Sequence, residues 1–435
     1  MGVNDIDVPE DVLTSSTSKM DRGMLQRIFE KTEPNLVIDS YEEGKGSGRG
    51  DNYTAALFRI ALKGHIRQNS SESSKKLRWE RTVICKRLPD CKIKREAFKS
   101  EALFRNEVEF YNSIMPEFEA FQRRLIGAGD GGRMIFKAVP RCYLAQDDLI
   151  MLEDLRVRYF SMPDRLAGLG LAQMKEVMIE LAKFHAVSLA YKRQEPDKFN
   201  RLVSSISEGI FSKTNAEWYK NYYDILTKNA IQMVVQTIPG KTKYLDKLKR
   251  FLSNCFGNMV ELTGRESKLS VICHGDCWTN NILFKYDDDG NITETCIVDF
   301  QLVRHGSLAL DLTYLIYCCT EGSVRKDNLQ KWLQTYGEQL GKSLKLLGSF
   351  QDFAVDEPDL QRQIDEEFRA YARFGLGAAM DMLPISTCSS EEAPDLYVSG
   401  SEMATTPPEL NVPPNELCRQ KMTDIVLELV DGGML

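Results

Sequence analysis

Asp276, Asn281 and Asp299 are the residues whose types and spacing could do chemistry. Each half of the set follows a short apolar run that reads as a buried strand. Val271-Ile-Cys273 leads into His274-Gly275-Asp276, with Asn281 five residues on, and Cys296-Ile-Val298 leads into Asp299-Phe300-Gln301. The pattern is H-G-D-x-x-x-x-N followed by D-F-Q. Phosphoryl transfer asks for these types, because it needs little covalent work from a protein beyond positioning and neutralising charge. Asp276 is suited to orient an acceptor hydroxyl and take its proton. Asp299 and Asn281 offer the oxygens that a hard cation such as Mg²⁺ prefers. In an inert loop the same Asp and Asn would cap a turn; two strand-flanked halves in this order outweigh that reading.

The pair is close to the H-R-D-x-x-x-x-N and D-F-G loops of kinase-like phosphotransferases, and such a site needs further elements to position it. Trp79 to Leu88 reads as a strand that carries Lys86 after Val83-Ile84-Cys85. A long helix is predicted from about Lys94 to Met115. Within it Glu107 has Leu103, Phe104, Phe110 and Tyr111 at helical spacing. A carboxylate on an apolar face is costly unless a cation pairs with it, and Lys86 is the expected partner; Glu101 or Glu109 would take the role on another helix face. Strands are expected at Arg133–Tyr143 and Leu149–Leu152, the second running into Glu153-Asp154-Leu155 as a hinge. Four glycines between Gly44 and Gly50 would let backbone approach a phosphate closely, though the spacing matches neither a P-loop nor G-x-G-x-x-G. A strand from Asn52 to Ile66 follows.

Beyond the hinge the pattern turns helical, over Leu171–Lys192, Trp218–Val235, Thr242–Leu262, Ser307–Cys319, Asn328–Leu347, Leu360–Met382 and Leu417–Val430. His185 lies on an apolar stripe and reads as a satisfied core histidine. Asp311 sits inside an apolar helix and needs donors, which makes it a brace for the catalytic loop; His274 is read as structural support in the same way. Residues 1–20 read as disordered, 21–154 as a nucleotide-binding lobe, 155–387 as a catalytic and acceptor-binding lobe, and 388–435 as a linker and last helix.

Composition narrows the class. At 435 residues, 43% hydrophobic and 27% charged, the chain is an ordinary globular protein. A net charge of -7 gives no pull toward nucleic acid or anionic membrane. No apolar run approaches the ~18 residues of a membrane helix, and no protein partner is evident. The eleven cysteines are odd in number and scattered, as expected in a reducing compartment. Cys273, His274 and Cys277 lack the further ligands a zinc site needs. Asp287-Asp-Asp-Gly290 lacks the spaced ligands of a calcium loop. A cytosolic location is expected.

Placed in order, Lys86, Glu107, the hinge and the two loops resemble the insect ecdysteroid-kinase-like family, within the aminoglycoside and choline kinase superfamily. Gly48-Arg-Gly-Asp-Asn-Tyr53, Leu181-Ala-Lys-Phe-His-Ala186, His274–Asn281 and Ile297–Gln301 carry the resemblance. It implies an α+β, two-lobed protein-kinase-like fold, with a small antiparallel-sheet lobe bearing one long helix and a larger, mainly helical lobe. It implies ATP and Mg²⁺ as cofactors and a hydroxyl of a small alcohol, an ecdysteroid or a foreign compound, as acceptor. The ATP side would be formed by Gly48, Gly50, Asn52, Lys86, Glu107, Glu153 and Leu155, the metal side by Asn281 and Asp299, with Asp276 catalytic. Gly275 stands where protein kinases carry an Arg. Asp299 and Asp311 are too close for a peptide-docking segment, which points to a small acceptor. A silent ligand-binding protein of the same fold is the alternative.

Overall fold

Alternation along a strand sends neighbouring side chains to opposite faces. Between Val83 and Lys86 it puts Val83 and Cys85 into one apolar cluster while Ile84 and Lys86 turn to a cleft. The computed structural model of the protein describes residues 20–46, 56–67, 76–88, 95–96, 99–126, 134–389 and 414–435. Five strands, β1 (Leu36–Lys45), β2 (Ala56–Arg67), β3 (Lys76–Arg87), β4 (Cys142–Gln146) and β5 (Leu149–Glu153), form one antiparallel sheet in the order β1-β2-β3-β5-β4. Lys86 is paired with Leu57 on one side and Ile150 on the other. The helix Arg22–Glu30, N-capped by Asp21, covers one face with Leu25, Ile28 and Phe29 against Ile60, Trp79 and Val83.

The sheet's other face meets the helix Ser100–Glu109, which passes through a π-helical turn, Phe110–Ile114, into the helix Met115–Ile126. After Glu153 the chain is mainly helical, around one large core that includes Leu181, Ile272, Leu315 and Leu376. The fold is thus the mixed one expected, an antiparallel sheet region followed by a mainly helical part. Two short sheets, one of two strands and one of three in which Phe160–Ser161 flanks Ile282–Tyr286, interrupt the helices and carry the loops of interest. Ser270–Cys273 pairs with Arg304–Ser307, and Ile282–Tyr286 with Ile292–Ile297.

Several boundaries differ from the pattern read in the sequence. Strand β1 was not anticipated. It is an edge strand whose register slips between Ile38 and Ser40, so its alternation breaks after three residues. Residues 134–141 are not a strand; only Cys142–Gln146 pairs with β5. The expected helix from Thr242 to Leu262 is two, Thr242–Leu252 and Cys255–Gly264, separated at Ser253 and Asn254, types that compete with the helix for its own hydrogen bonds. Met20 is buried and its carbonyl accepts from Tyr41. Residues 1–19, the glycine-rich turn with Gly48, Gly50 and Asn52, and residues 390–413 of the expected linker lie outside the described residues.

Candidate active site

The loop after Ser270–Cys273 is held from beneath by one carboxylate. Asp311, 1% exposed, accepts from the backbone N–H of His274 (2.7 Å) and of Gly275 (2.8 Å) and from His185 Nε2 (3.1 Å). His185 is itself fully buried and bonded at Nδ1 to Tyr336. Burial alone would raise the Asp311 pKa, but the bonds from His185 and Gly275 hold it below the usual carboxylate value. Gly275 has φ +86°, and a Cβ there would lie 1.9 Å from the Leu302 carbonyl oxygen, so only glycine fits. Burial lowers the His274 pKa, and its bonds suit a neutral ring: Nε2 donates to the Val298 carbonyl at 2.9 Å while Nδ1 accepts from the Asp276 N–H at 3.1 Å.

This loop presents Asp276, whose two carboxylate oxygens are separately held. Tyr314 donates to Oδ1 at 2.7 Å and Asn281 Nδ2 donates to Oδ2 at 3.0 Å. Desolvation and the charge of Asp299 nonetheless push Asp276 up to about 7, against the pull of those two bonds and of Lys86. That value suits a group that must take a proton near neutral pH. Because Asn281 turns its Nδ2 to Asp276, its Oδ1 is the amide atom left for another partner, and both Asn281 and Asp299 line the same cleft.

Lys86 joins the two halves of the site. Its Nζ lies 2.5 Å from Glu107 Oε2 and 2.7 Å from Asp299 Oδ1. Desolvation opposes its charge, but the Asp299 and Glu107 carboxylates more than offset that and hold it protonated. Glu107, 1% exposed, is raised by burial and pulled back by Lys86; with the cation this close we treat the pair as ionised. Asp299 itself sits at φ +67°, a conformation that costs a non-glycine residue energy and is concentrated at functional sites. Next to it Phe300 stacks on Phe110 with ring centroids 3.5 Å apart and 5° between planes, and meets His274 edge-on at 4.5 Å. Phe110 opens the π-helical turn, a feature common near functional sites. Asn106, one residue before Glu107, donates to the carbonyls of Ser207 and Gln301.

Lys86, Glu107, Asn281 and Asp299 line a cleft of about 460 Å³ between the sheet and the helical part. Ile84, Leu57, Leu152, Leu155, Leu283 and Val298 give it apolar walls, as a nucleotide base requires. Glu153 and Leu155 both line it; the Glu153 side chain also accepts from Arg158 and from the Arg141 backbone. Three contributors were not read from the sequence. Tyr314 lies three residues after Asp311, one turn along the same helix, and that spacing was the available signal. Arg59 donates to Asp154 at 2.7 Å across the cleft, a pairing 95 residues apart with no local trace. Asn280 Nδ2 is buried at the cleft without a partner among the described residues.

These groups fit the ligands the motif pair calls for. An orphaned donor at Asn280 and a protonated Lys86 suit phosphate oxygens. The carboxylate of Asp299 and the amide oxygen of Asn281 form an all-oxygen pair of the kind Mg²⁺ takes alongside phosphates. The fold and this site define a kinase-like class. The model of the ecdysteroid kinase-like family matches residues 49–349, more than half of the chain, and the protein belongs to that family. Among solved structures it resembles an ethanolamine kinase from Plasmodium vivax at 12% identity, covering 97% of this chain and 93% of that one, with a TM-score of 0.43. It also resembles a microcompartment-associated aminopropanol kinase at 11% identity, covering 95% and 99%, with a TM-score of 0.38. No curated protein matches. Among the described residues no helix is long and apolar enough to cross a membrane.

Proposed function

We propose that the protein is an ATP- and Mg²⁺-dependent O-phosphotransferase acting on a hydroxyl of an ecdysteroid or another small alcohol. The observation that carries this reading is the single network that ties Lys86, Glu107 and Asp299 together beside the Asp276–Asn281 pair. In the reaction the acceptor oxygen forms a bond to the γ-phosphorus, the bond to the bridging oxygen breaks to leave ADP, and the hydroxyl proton passes to Asp276. Tyr314 and Asn281 fix both oxygens of that carboxylate, so it meets the hydroxyl in one orientation. Lys86, pinned by Glu107, sets a positive charge against the phosphates, and Asn280 adds a neutral donor. Bound Mg²⁺ would neutralise charge on the phosphate oxygens, held by Asp299 and Asn281. His274 and Asp311 keep the loop in shape without touching substrate.

The lobes of this reading are residues 21–154 and 155–387, with ATP between them. Gly48, Gly50 and Asn52 are assigned to its phosphate side and Glu153 and Leu155 to its base side. A cytoplasmic setting belongs to the same proposal, supported by ten free thiols among the described residues.

The test is ATP turnover by purified protein with Mg²⁺ over a panel of ecdysteroids and other small alcohols, with Asp276→Asn as control. Transfer to one compound that vanishes in the variant is the expected result. A wild-type protein that binds no ATP refutes the reading.

A further inference from the structure

One helix grips the reacting loop at three successive places. The helix Ala309–Cys319 bonds the His274 and Gly275 N–H groups through Asp311 near its start, and Asp276 through Tyr314 in its middle. At its end the Cys319 thiol, a weak donor, bonds the Cys277 carbonyl at 3.6 Å. Residues 274–277 thus lie in register along this helix, and a slide or tilt of the helix would carry the Tyr314 hydroxyl away from Asp276. Such a bond tolerates little displacement, because hydrogen bonds weaken steeply with misalignment.

The far end of that helix is fixed by a buried ion pair. Arg325, 1% exposed, lies in the first turn of the helix Gly322–Leu346. Its Nη1 donates at 2.6 Å to the carbonyl of Thr320, the residue that ends Ala309–Cys319. Its Nε and Nη2 bond the Glu428 carboxylate, on the helix Glu416–Asp431, at 2.9–3.1 Å. The joint is tight. A Cβ on Gly322 would lie 2.6 Å from Asp424, one turn before Glu428, and one on Gly168 would lie 2.6 Å from the Cys319 carbonyl oxygen. Stability is a weak reason for the pair, since apolar residues in place of a buried ion pair are often neutral or stabilising. A guanidinium offers what they cannot, a directional bond to Thr320 while its other edge is held in a fixed plane by the carboxylate.

We propose that Arg325 and Glu428 are positioning residues for phosphoryl transfer. Glu428 orients Arg325, Arg325 holds the end of Ala309–Cys319, and that helix sets the Tyr314 hydroxyl on Asp276. The inference rests on the phosphotransferase reading for its effect on turnover, while the order it imposes on the loop can be measured without turnover. Neither residue lines the nucleotide cleft. Glu428 also lies beyond the family-matched residues 49–349, so the helix Glu416–Asp431 gains a part in the reaction that the matched segment does not contain.

The experiment compares full-length wild type, the double variant Arg325→Met/Glu428→Met, Tyr314→Phe and the triple variant. Turnover with the alcohol selected by the panel, melting temperature, and hydrogen exchange over residues 274–281 are measured for each. The double variant is expected to melt near wild type, keep its KM for ATP within about twofold and lose about tenfold in kcat. In the Tyr314→Phe background the same two substitutions should cost less than about twofold, because both act on one interaction. Amides of residues 274–281 should exchange about tenfold faster in the double variant. A wild-type kcat in the double variant overturns the proposal, as does an undiminished loss in the Tyr314→Phe background. If the double variant melts early, Glu428→Gln decides by the same readings. Where wild type shows no turnover, exchange decides alone: faster exchange over 274–281 keeps the assignment and unchanged exchange overturns it. Wild type that also binds no ATP sinks the phosphotransferase reading.

Discussion

Asp311 and Asp276 are both deeply buried and serve one loop, the first from a helix beneath it and the second from within it, yet their surroundings drive them in opposite directions. Asp311 collects three donors, two of them backbone, and stays below its ordinary pKa. Asp276 has two side-chain donors and a neighbouring carboxylate, and is pushed up to about 7. On the proposed reading, the difference separates a residue that holds from a residue that reacts. Full satisfaction makes a carboxylate inert, whereas partial satisfaction beside another charge leaves it able to accept a proton.

The comparison breaks most visibly at Asp276. Asp276→Asn should lower turnover by about two to four orders of magnitude, the range general-base catalysis contributes, with nucleotide affinity and melting temperature near wild type. Steady-state ATP consumption beside a nucleotide titration checks this, and near-normal turnover would remove Asp276 from its role. Asp311→Ala should do the reverse, acting on stability first. It strands three buried donors, and a loss of about 3–5 kcal/mol in urea unfolding is expected; an unfolding curve like wild type would show that the loop does not depend on this brace.

A smaller effect sharpens the distinction. Tyr314→Phe removes one donor from Asp276 and leaves burial less opposed, so the rise of turnover with pH should move upward. A hydrogen bond to a charged group contributes about 1.5–3 kcal/mol, which corresponds to about one to two pH units. A pH–rate profile unmoved by the substitution would mean that Tyr314 does not tune Asp276.

The smallest effect lies in stability against pH, and its sign differs between the two residues. The folded Asp276 pKa lies above its ordinary value of 3.8, so its contribution is present below 3.8 and is lost as pH rises toward about 7. The folded Asp311 pKa lies below 3.8, so its contribution is present above 3.8 and is lost as pH falls through its folded value. Melting curves of Asp276→Asn should therefore lack part of the decline between pH 4 and 7. Those of Asp311→Asn should lack part of the decline under acid. Parallel curves for both variants would erase the contrast.

What the sequence made legible was local. His274, Asp276, Asn281 and Asp299 stand beside the apolar runs that position them, and Glu107 advertised itself as a charge on an apolar helix face. Asp311 was marked in the same way, by burial without an obvious donor. Asn106 and Arg59 left no such mark, because their partners come from distant segments, and Tyr314 left only its spacing one turn after Asp311. Strand β1 was hidden by its bulge, and the break at Ser253-Asn254 by the apolar pattern continuing across it.

The helix Glu357–Thr387 begins after the family-matched segment ends at residue 349. A chain trimmed to that segment would keep Lys86, Asp276, Asn281 and Asp299 but expose the groove that Gly375 fills against Thr313 and Tyr317. Expression trials guided by the family boundary should therefore yield aggregate rather than a minimal enzyme.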